Sequence, residues 1–274
     1  MHPRPRILHN TPAVEAWPAW LLRARGNHDA RRLAGASHVL RRKRDGRYLA
    51  VLPWNAATGG GTGARRVQPL LPRLAHAPGI DAALAAVAGA TATPSDTRVP
   101  RLPLERLHER LGALGLDPGY GERTGLALEA EPAWLALAGF DRFGRPLWLH
   151  AGAARAWARM RADALRAGIA LDAISGYRSH DYQLGIFDRK RARGQSVEQI
   201  LSVNAAPGYS EHHSGCALDI GTPGQPPAEE SFEATPAFAW LREHAGAHGF
   251  RMSYPRGNPH GIVHEPWHWR WHAD

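Results

Sequence analysis

The stretch SEHHSGCALD, Ser210–Asp219, gathers side chains that can do chemistry: two adjacent histidines, a glutamate, a serine, the chain's single cysteine and a closing aspartate. His212 and Asp219 are seven residues apart. The small and apolar residues of GCALDI alternate as in a half-buried strand. A histidine in the loop before such a strand can converge with an aspartate on it. Further on comes His264-Glu265-Pro266-Trp267-His268. His212, Asp219 and His268 would supply three protein ligands to Zn²⁺ and leave a fourth position open, the arrangement of catalytic rather than structural zinc. Zinc so held lowers the pKa of its bound water to about 7. Glu265 stands three residues before a candidate ligand. There it can take the proton of the attacking water and return it to a departing amine. Strict strand alternation would put Glu265 and His268 on opposite faces. Pro266 disfavours a regular strand, so a local bend must bring both to the metal.

Spacing alone does not select this triad. The chain has sixteen histidines. His213 competes with His212, and His244, His248, His260, His264 and His272 also lie in the last third. Cys216 reads as a small core residue. Trp267, Trp269 and Trp271 alternate and read as one packed face of a strand.

Several elements must position these groups. SHVLRRKRDGRYLAVLPW (37–54) reads as a β-hairpin turning at Asp45-Gly46. A glycine-rich stretch, 55–66, follows; it lacks the Lys-Ser/Thr ending of a phosphate loop. A short helix is expected at 80–90, then a Pro/Thr/Ser-rich linker at 90–103. Beyond it, leucines at helical spacing mark 104–116, and LALEAEPAWLALAG is ambiguous between strand and helix. DRFGRPLWLH gives a turn and a strand. Residues 151–168 have strong helix formers and Gly168 as a stop. IALDAISGYRS is a strand running into a turn, and HDYQLGIFDRKRARG is a helix with cations at its C-terminal end. SVEQILSVNA and TPAFAWLREHAGAHG are helical; FRMSYP and VHEPWHWRW read as strands. Helices interleaved with a few strands in hairpin-like succession predict an α+β fold: a small, largely antiparallel sheet carrying the metal site and packed with helices. Residues 1–103 form an N-terminal extension with a β-hairpin, and residues 105–274 the site-bearing domain.

Length and composition are those of a globular chain with ample core. One cysteine excludes an intrachain disulfide. The formal net charge of +9 is uneven: residues 1–50 carry eleven Lys+Arg against three acids. The cluster Arg41-Arg42-Lys43-Arg44 reads as a solvated hairpin tip, and no nucleic-acid partner is expected. No stretch reaches the roughly 18 apolar residues of a membrane span. The first thirty residues contain no secretory leader pattern, which favours a cytoplasmic location, or a periplasmic one if the start is misassigned.

SGYRS (175–179), Gln183, APGYSEHHSGCALDIG (206–221) and GIVHEPWHWRW (261–271) together resemble the VanY-type D-alanyl-D-alanine carboxypeptidases. These zinc peptidases trim peptidoglycan stem peptides and share a superfamily with lysostaphin-type endopeptidases and the hedgehog signalling domain. Ser-x-His-x6-Asp combined with Glu-x-x-His is far more specific than either half. The resemblance implies that His212, Asp219 and His268 are zinc ligands and Glu265 the catalytic base. It further implies that Arg178 faces the substrate, and that Ser210 and Gln183 help hold the C-terminal end of the peptide. A planar guanidinium suits a free carboxylate through bidentate bonds. Departures are His213, where the family often has glutamine, and Cys216, where a larger apolar residue is common.

The expected function is a zinc carboxypeptidase releasing the C-terminal D-alanine of stem peptides or muropeptides. Removal from a tetrapeptide (LD) is slightly favoured, because turnover tetrapeptides are recycled in the cytoplasm. The alternatives are a DD-carboxypeptidase acting on pentapeptides, a peptidoglycan endopeptidase and a non-catalytic zinc-binding module. The role of residues 1–103 and the oligomeric state are not legible.

Overall fold

The computed structural model describes residues 4–54, 67–89, 99–116, 119–201 and 205–273. The glycine-rich stretch 55–66 and residues 90–98 of the linker lie outside the described residues. The chain divides into two compact units, Met1–Leu102 with Ala133–Ala136, and Pro103–Pro132 with Leu137–Asp274.

The first unit sets the expected hairpin within a larger antiparallel sheet. Its strands are β1 (Ile7–Asn10), β2 (Val14–Pro18), β3 (Ala36–Arg42), β4 (Tyr48–Pro53) and β5 (Gln68–Pro69). Each pairs antiparallel with the next, and Trp134–Ala136 pair with β1 at the edge. The expected hairpin is present as β3–β4, and Gly46 supplies the positive φ of 68° its turn requires. Helix α1 (Asn27–Ala34) buries no residue, whereas α2 (Ile80–Ala88) places Ile80, Ala83 and Val87 over Val14, Leu40, Leu49 and Leu52. The basic cluster is largely engaged. Arg41 pairs with Glu15, and Arg42 with Asp45. Lys43 is buried and donates to the Thr11 carbonyl at 3.1 Å, so it is not part of a solvated tip.

The second unit opens with α3 (Glu105–Ala113) and α4 (Tyr120–Thr124). The ambiguous segment is a strand, β6 (Trp134–Phe140), whose latter part belongs to this unit; β7 (Pro146–Leu149) follows. Next come α5 (Ala151–Arg166), β8 (Asp172–Ser175), α6 (His180–Ala192), α7 (Val197–Leu201) and β9 (Ala217–Gly221). The chain closes with α8 (Pro236–His244), β10 (Phe250–Met252) and β11 (His268–Trp271). A four-stranded antiparallel sheet runs β10-β11-β9-β8. Its helix-facing side chains, Ala173, Leu218, Ile220, Phe250 and Trp269, join Trp157, Met160, Phe238 and Leu241 in the main core. Alternation therefore turns Asp219 to the opposite face.

Two sequence expectations need correction. Strand β9 is buried along its whole length rather than on one face, because helices cover one side and loops the other. The last strand begins only at His268. Pro266 cannot donate to a ladder, and Val263–Trp267 are irregular. Trp269 and Trp271 do pack with the core, but Trp267, outside the strand, also borders the site cavity.

Candidate active site

Asp219 on β9 and His268 on β11 are direct cross-strand partners, which sets their side chains next to each other on the non-helical face. His212 arrives from a short 3₁₀ turn, Glu211–Ser214, closed by Gly215 at φ 72°. A left-handed residue there reverses the chain into β9, and glycine adopts it without strain. The three side chains are buried, and their facing atoms lie within 4.8 Å of one another. The Nε2 of His212 is 3.3 Å from Asp219 Oδ1, and the Nδ1 of His268 is 3.1 Å from the same oxygen.

Hydrogen bonds behind each ring fix its orientation. The Nδ1–H of His212 donates to the Gly176 carbonyl at 2.7 Å, leaving the ring's lone pair on Nε2. Burial, then the nearby Arg178 charge, lowers the His212 pKa to about 4, which keeps that lone pair available. The Nε2–H of His268 donates to Glu211 Oε2 at 2.8 Å. Burial works against a charge on His268, but its bonds to Asp219 and Glu211 outweigh it and raise its pKa to about 10. Burial likewise opposes ionisation of Asp219, yet His212 and the Arg178 guanidinium hold it well below the usual carboxylate range.

The bend expected before His268 is present. The His268 N–H donates to the Glu265 carbonyl at 3.1 Å, and the Glu265 N–H to the Tyr254 carbonyl at 3.0 Å. This folds the Glu265 carboxylate back to 3.9 Å from His268 Nδ1. Burial raises the Glu265 pKa to about 7, with the His268 charge opposing and Asp219 adding to the rise. A carboxyl group titrating near neutrality is suited to general acid–base work.

A cavity of about 230 Å³ opens on these groups and is also lined by Arg178, Gln183, Ser210, Tyr254, Ile262 and Trp267. All seven residues singled out from the sequence thus border one cavity. Arg178 is more deeply engaged there than a group reserved for substrate. Its Nη2 donates to Asp219 Oδ2 at 2.6 Å and to His212 Nε2 at 3.0 Å, and its Nε to Ser175 Oγ at 3.0 Å. Gln183, in the first turn of α6, donates from Nε2 to the Ala205 carbonyl at 3.1 Å. Its Oε1 is buried with no partner among the described residues.

His213 does not compete with His212 for the metal position. Its Nε2 accepts from the Gly208 N–H at 3.1 Å, so its Nδ1–H donates to the Arg178 carbonyl at 2.7 Å. It ties the Gly208–Gly215 loop to the loop carrying Arg178. Cys216 is a buried thiol outside the cluster. Sequence reasoning gave no role to Glu211 and Tyr254. Both become visible only in the fold: Glu211 when His268 is brought onto it from another strand, and Tyr254 when its carbonyl is seen to hold Glu265.

Donors of this kind, buried and converging from three segments, fit a divalent metal such as zinc. A carboxylate beside such a metal is the arrangement of a hydrolytic centre. Residues 146–274 match the family profile described as VanY: D-alanyl-D-alanine carboxypeptidase. A Bacillus subtilis (strain 168) protein, YodJ, is 36% identical over 112 residues, 39% of this chain and 40% of its own. The D-alanyl-D-alanine carboxypeptidase of Enterococcus faecium is 31% identical over 136 residues, 48% of this chain and 40% of its own. The chain thus spans 40% of the length of each of these relatives. Among solved structures, the LdcB LD-carboxypeptidase is 34% identical over 45% of this chain and 59% of its own, with a TM-score of 0.43. An overlay that partial has no bearing on mechanism.

Proposed function

We propose that residues 105–274 are a zinc carboxypeptidase domain that releases the C-terminal D-alanine of peptidoglycan stem peptides, and that residues 1–103 form a separate region of undetermined role. The observation that carries this reading is the convergence of His212, Asp219 and His268 within 4.8 Å, with Glu265 beside them on one cavity. In it, His212 would hold the metal through Nε2, His268 through Nδ1 and Asp219 through a carboxylate oxygen. Zinc held there supplies Lewis acidity and a source of hydroxide at neutral pH. Glu265 takes the proton of the attacking water and returns it to the leaving amine of D-alanine. Arg178, Ser210 and Gln183 hold the peptide's C-terminal end. The guanidinium supplies positive charge next to the reacting carbonyl, which serves both the terminal carboxylate and a developing oxyanion. Gln183 Oε1, an acceptor with no partner among the described residues, adds a point for a peptide N–H.

Two bonds fit this chemistry. The LD reading, slightly favoured from the sequence, takes D-alanine from a tetrapeptide; the DD reading takes it from a pentapeptide. Similarity to the D-alanyl-D-alanine carboxypeptidase of Enterococcus faecium supports the DD reading. A stem tetrapeptide and a stem pentapeptide, each also made with an amidated C-terminus, test both readings when released D-alanine is quantified. Release from the tetrapeptide alone establishes LD cleavage, and release from the pentapeptide alone DD cleavage. Equal cleavage of the amidated peptides would replace the carboxypeptidase reading with an endopeptidase.

A further inference from the structure

His268 spends both ring nitrogens on carboxylates. Its Nδ1 faces Asp219, and its Nε2–H is given to Glu211 Oε2 at 2.8 Å. Glu211 is itself fixed. Its Oε2 accepts from the Ser253 hydroxyl at 2.6 Å, and its Oε1 lies 3.4 Å from Arg270 Nη1. Arg270 has a nearer partner, Glu129 Oε1 at 2.5 Å. The short bonds of Glu211 therefore go to His268 and Ser253, not to the arginine, so neutralising Arg270 does not account for a half-buried carboxylate here. The other histidine of the cluster is backed by a neutral group, the Gly176 carbonyl. One ring of the pair thus carries a charged acceptor behind it and the other does not.

We propose that Glu211 is a positioning residue for the metal centre: it fixes the Nε2–H tautomer of His268, so that the Nδ1 lone pair faces Asp219 and the metal position, and strengthens that nitrogen as a donor. This rests on reading His212, Asp219 and His268 as the metal ligands. Removing the acceptor leaves a buried N–H without a partner and frees the ring to turn. A carboxylate behind a ligating histidine raises its basicity, and losing such a partner typically weakens metal binding about 10–100-fold.

The test is zinc affinity of the full chain, measured by competition with a chromophoric chelator, for wild type, Glu211→Ala, Glu211→Gln and Asp219→Ala. The absorption spectrum of each cobalt(II)-loaded form is a second readout. Glu211→Ala is expected to bind zinc about 10–100-fold more weakly, with a shifted cobalt spectrum. Glu211→Gln keeps an acceptor without the charge and is expected between wild type and Glu211→Ala. A purely structural role for Glu211 would lower the unfolding temperature of the metal-free protein and leave both readouts unchanged, which would overturn the proposal. If Glu211→Ala does not fold, wild-type affinity and spectrum in Glu211→Gln overturn it alone. Wild type that binds no zinc sinks the ligand reading beneath the proposal. Zinc binding that Asp219→Ala abolishes and both Glu211 variants leave intact sinks this proposal only.

Discussion

Glu265 and His268 reach the same cavity because the chain turns between them, with the His268 N–H on the Glu265 carbonyl. That turn separates their roles, one side chain facing Asp219 and the other reaching the space in front of it. Glu265→Gln keeps the shape and removes the proton acceptor. It is expected to lower kcat about 10²–10⁴-fold while leaving zinc affinity within a few-fold of wild type, as steady-state kinetics and chelator competition would show. A matching loss of zinc would instead make Glu265 part of the metal-holding set. At this scale much of the site was legible in the sequence. Residue types at a seven-residue and a three-residue spacing suggested His212, Asp219, Glu265 and His268, and the family resemblance completed the set. Glu211 was not legible, since a glutamate beside a histidine is common in loops, and its role appears only when His268 is brought onto it from another strand. The engagement of Arg178 with Asp219 and His212 was hidden for the same reason.

The elements set how firmly these groups are held. Strand β8 runs into Gly176, whose carbonyl orients His212. A Cβ at Gly176 would stand 2.8 Å from Leu147 Cδ1 and 2.9 Å from the Trp148 carbonyl oxygen, and backbone does not yield as a side-chain tip does. Gly176→Ala is therefore expected to cost about 1–3 kcal/mol of stability, read as a lowered unfolding temperature; an unchanged temperature would contradict the packing described here. The helices were the most legible elements: α5, α6 and α8 announce themselves by composition, periodicity and stop signals. The short strands were less so. β1, β2 and β5 have two to five residues each, too few for a period-2 pattern to stand out. β11 was overextended at its start because the alternation of tryptophans persists through a segment that Pro266 keeps out of the sheet.

On the scale of the whole molecule, the two units differ in what they bury. The second holds the proposed hydrolytic site, and the first buries two histidines, His9 and His38, with no part in it. Burial lowers the pKa of His9 to about 4, and burial with the proximity of His9 lowers that of His38 to about 3. Both fall below the unfolded value near 6.5. Their stabilising contribution is thus fully present above pH 6.5 and is lost as pH falls towards those folded values, at up to about 1.4 kcal/mol per pH unit for each histidine. Urea unfolding is expected to show lower stability at pH 5 than at pH 7, with a smaller drop in His38→Gln; equal drops in both proteins would contradict this. The account depends most on the metal and Glu265 acting together. The direct measurement is release of D-alanine from stem tetrapeptide and pentapeptide by wild type and Glu265→Ala as purified, after chelation and after zinc is restored. The account predicts release by wild type that disappears on chelation and returns with zinc, and none above background from Glu265→Ala in any state. Release that survives chelation, or that Glu265→Ala sustains at the wild-type rate, would contradict it.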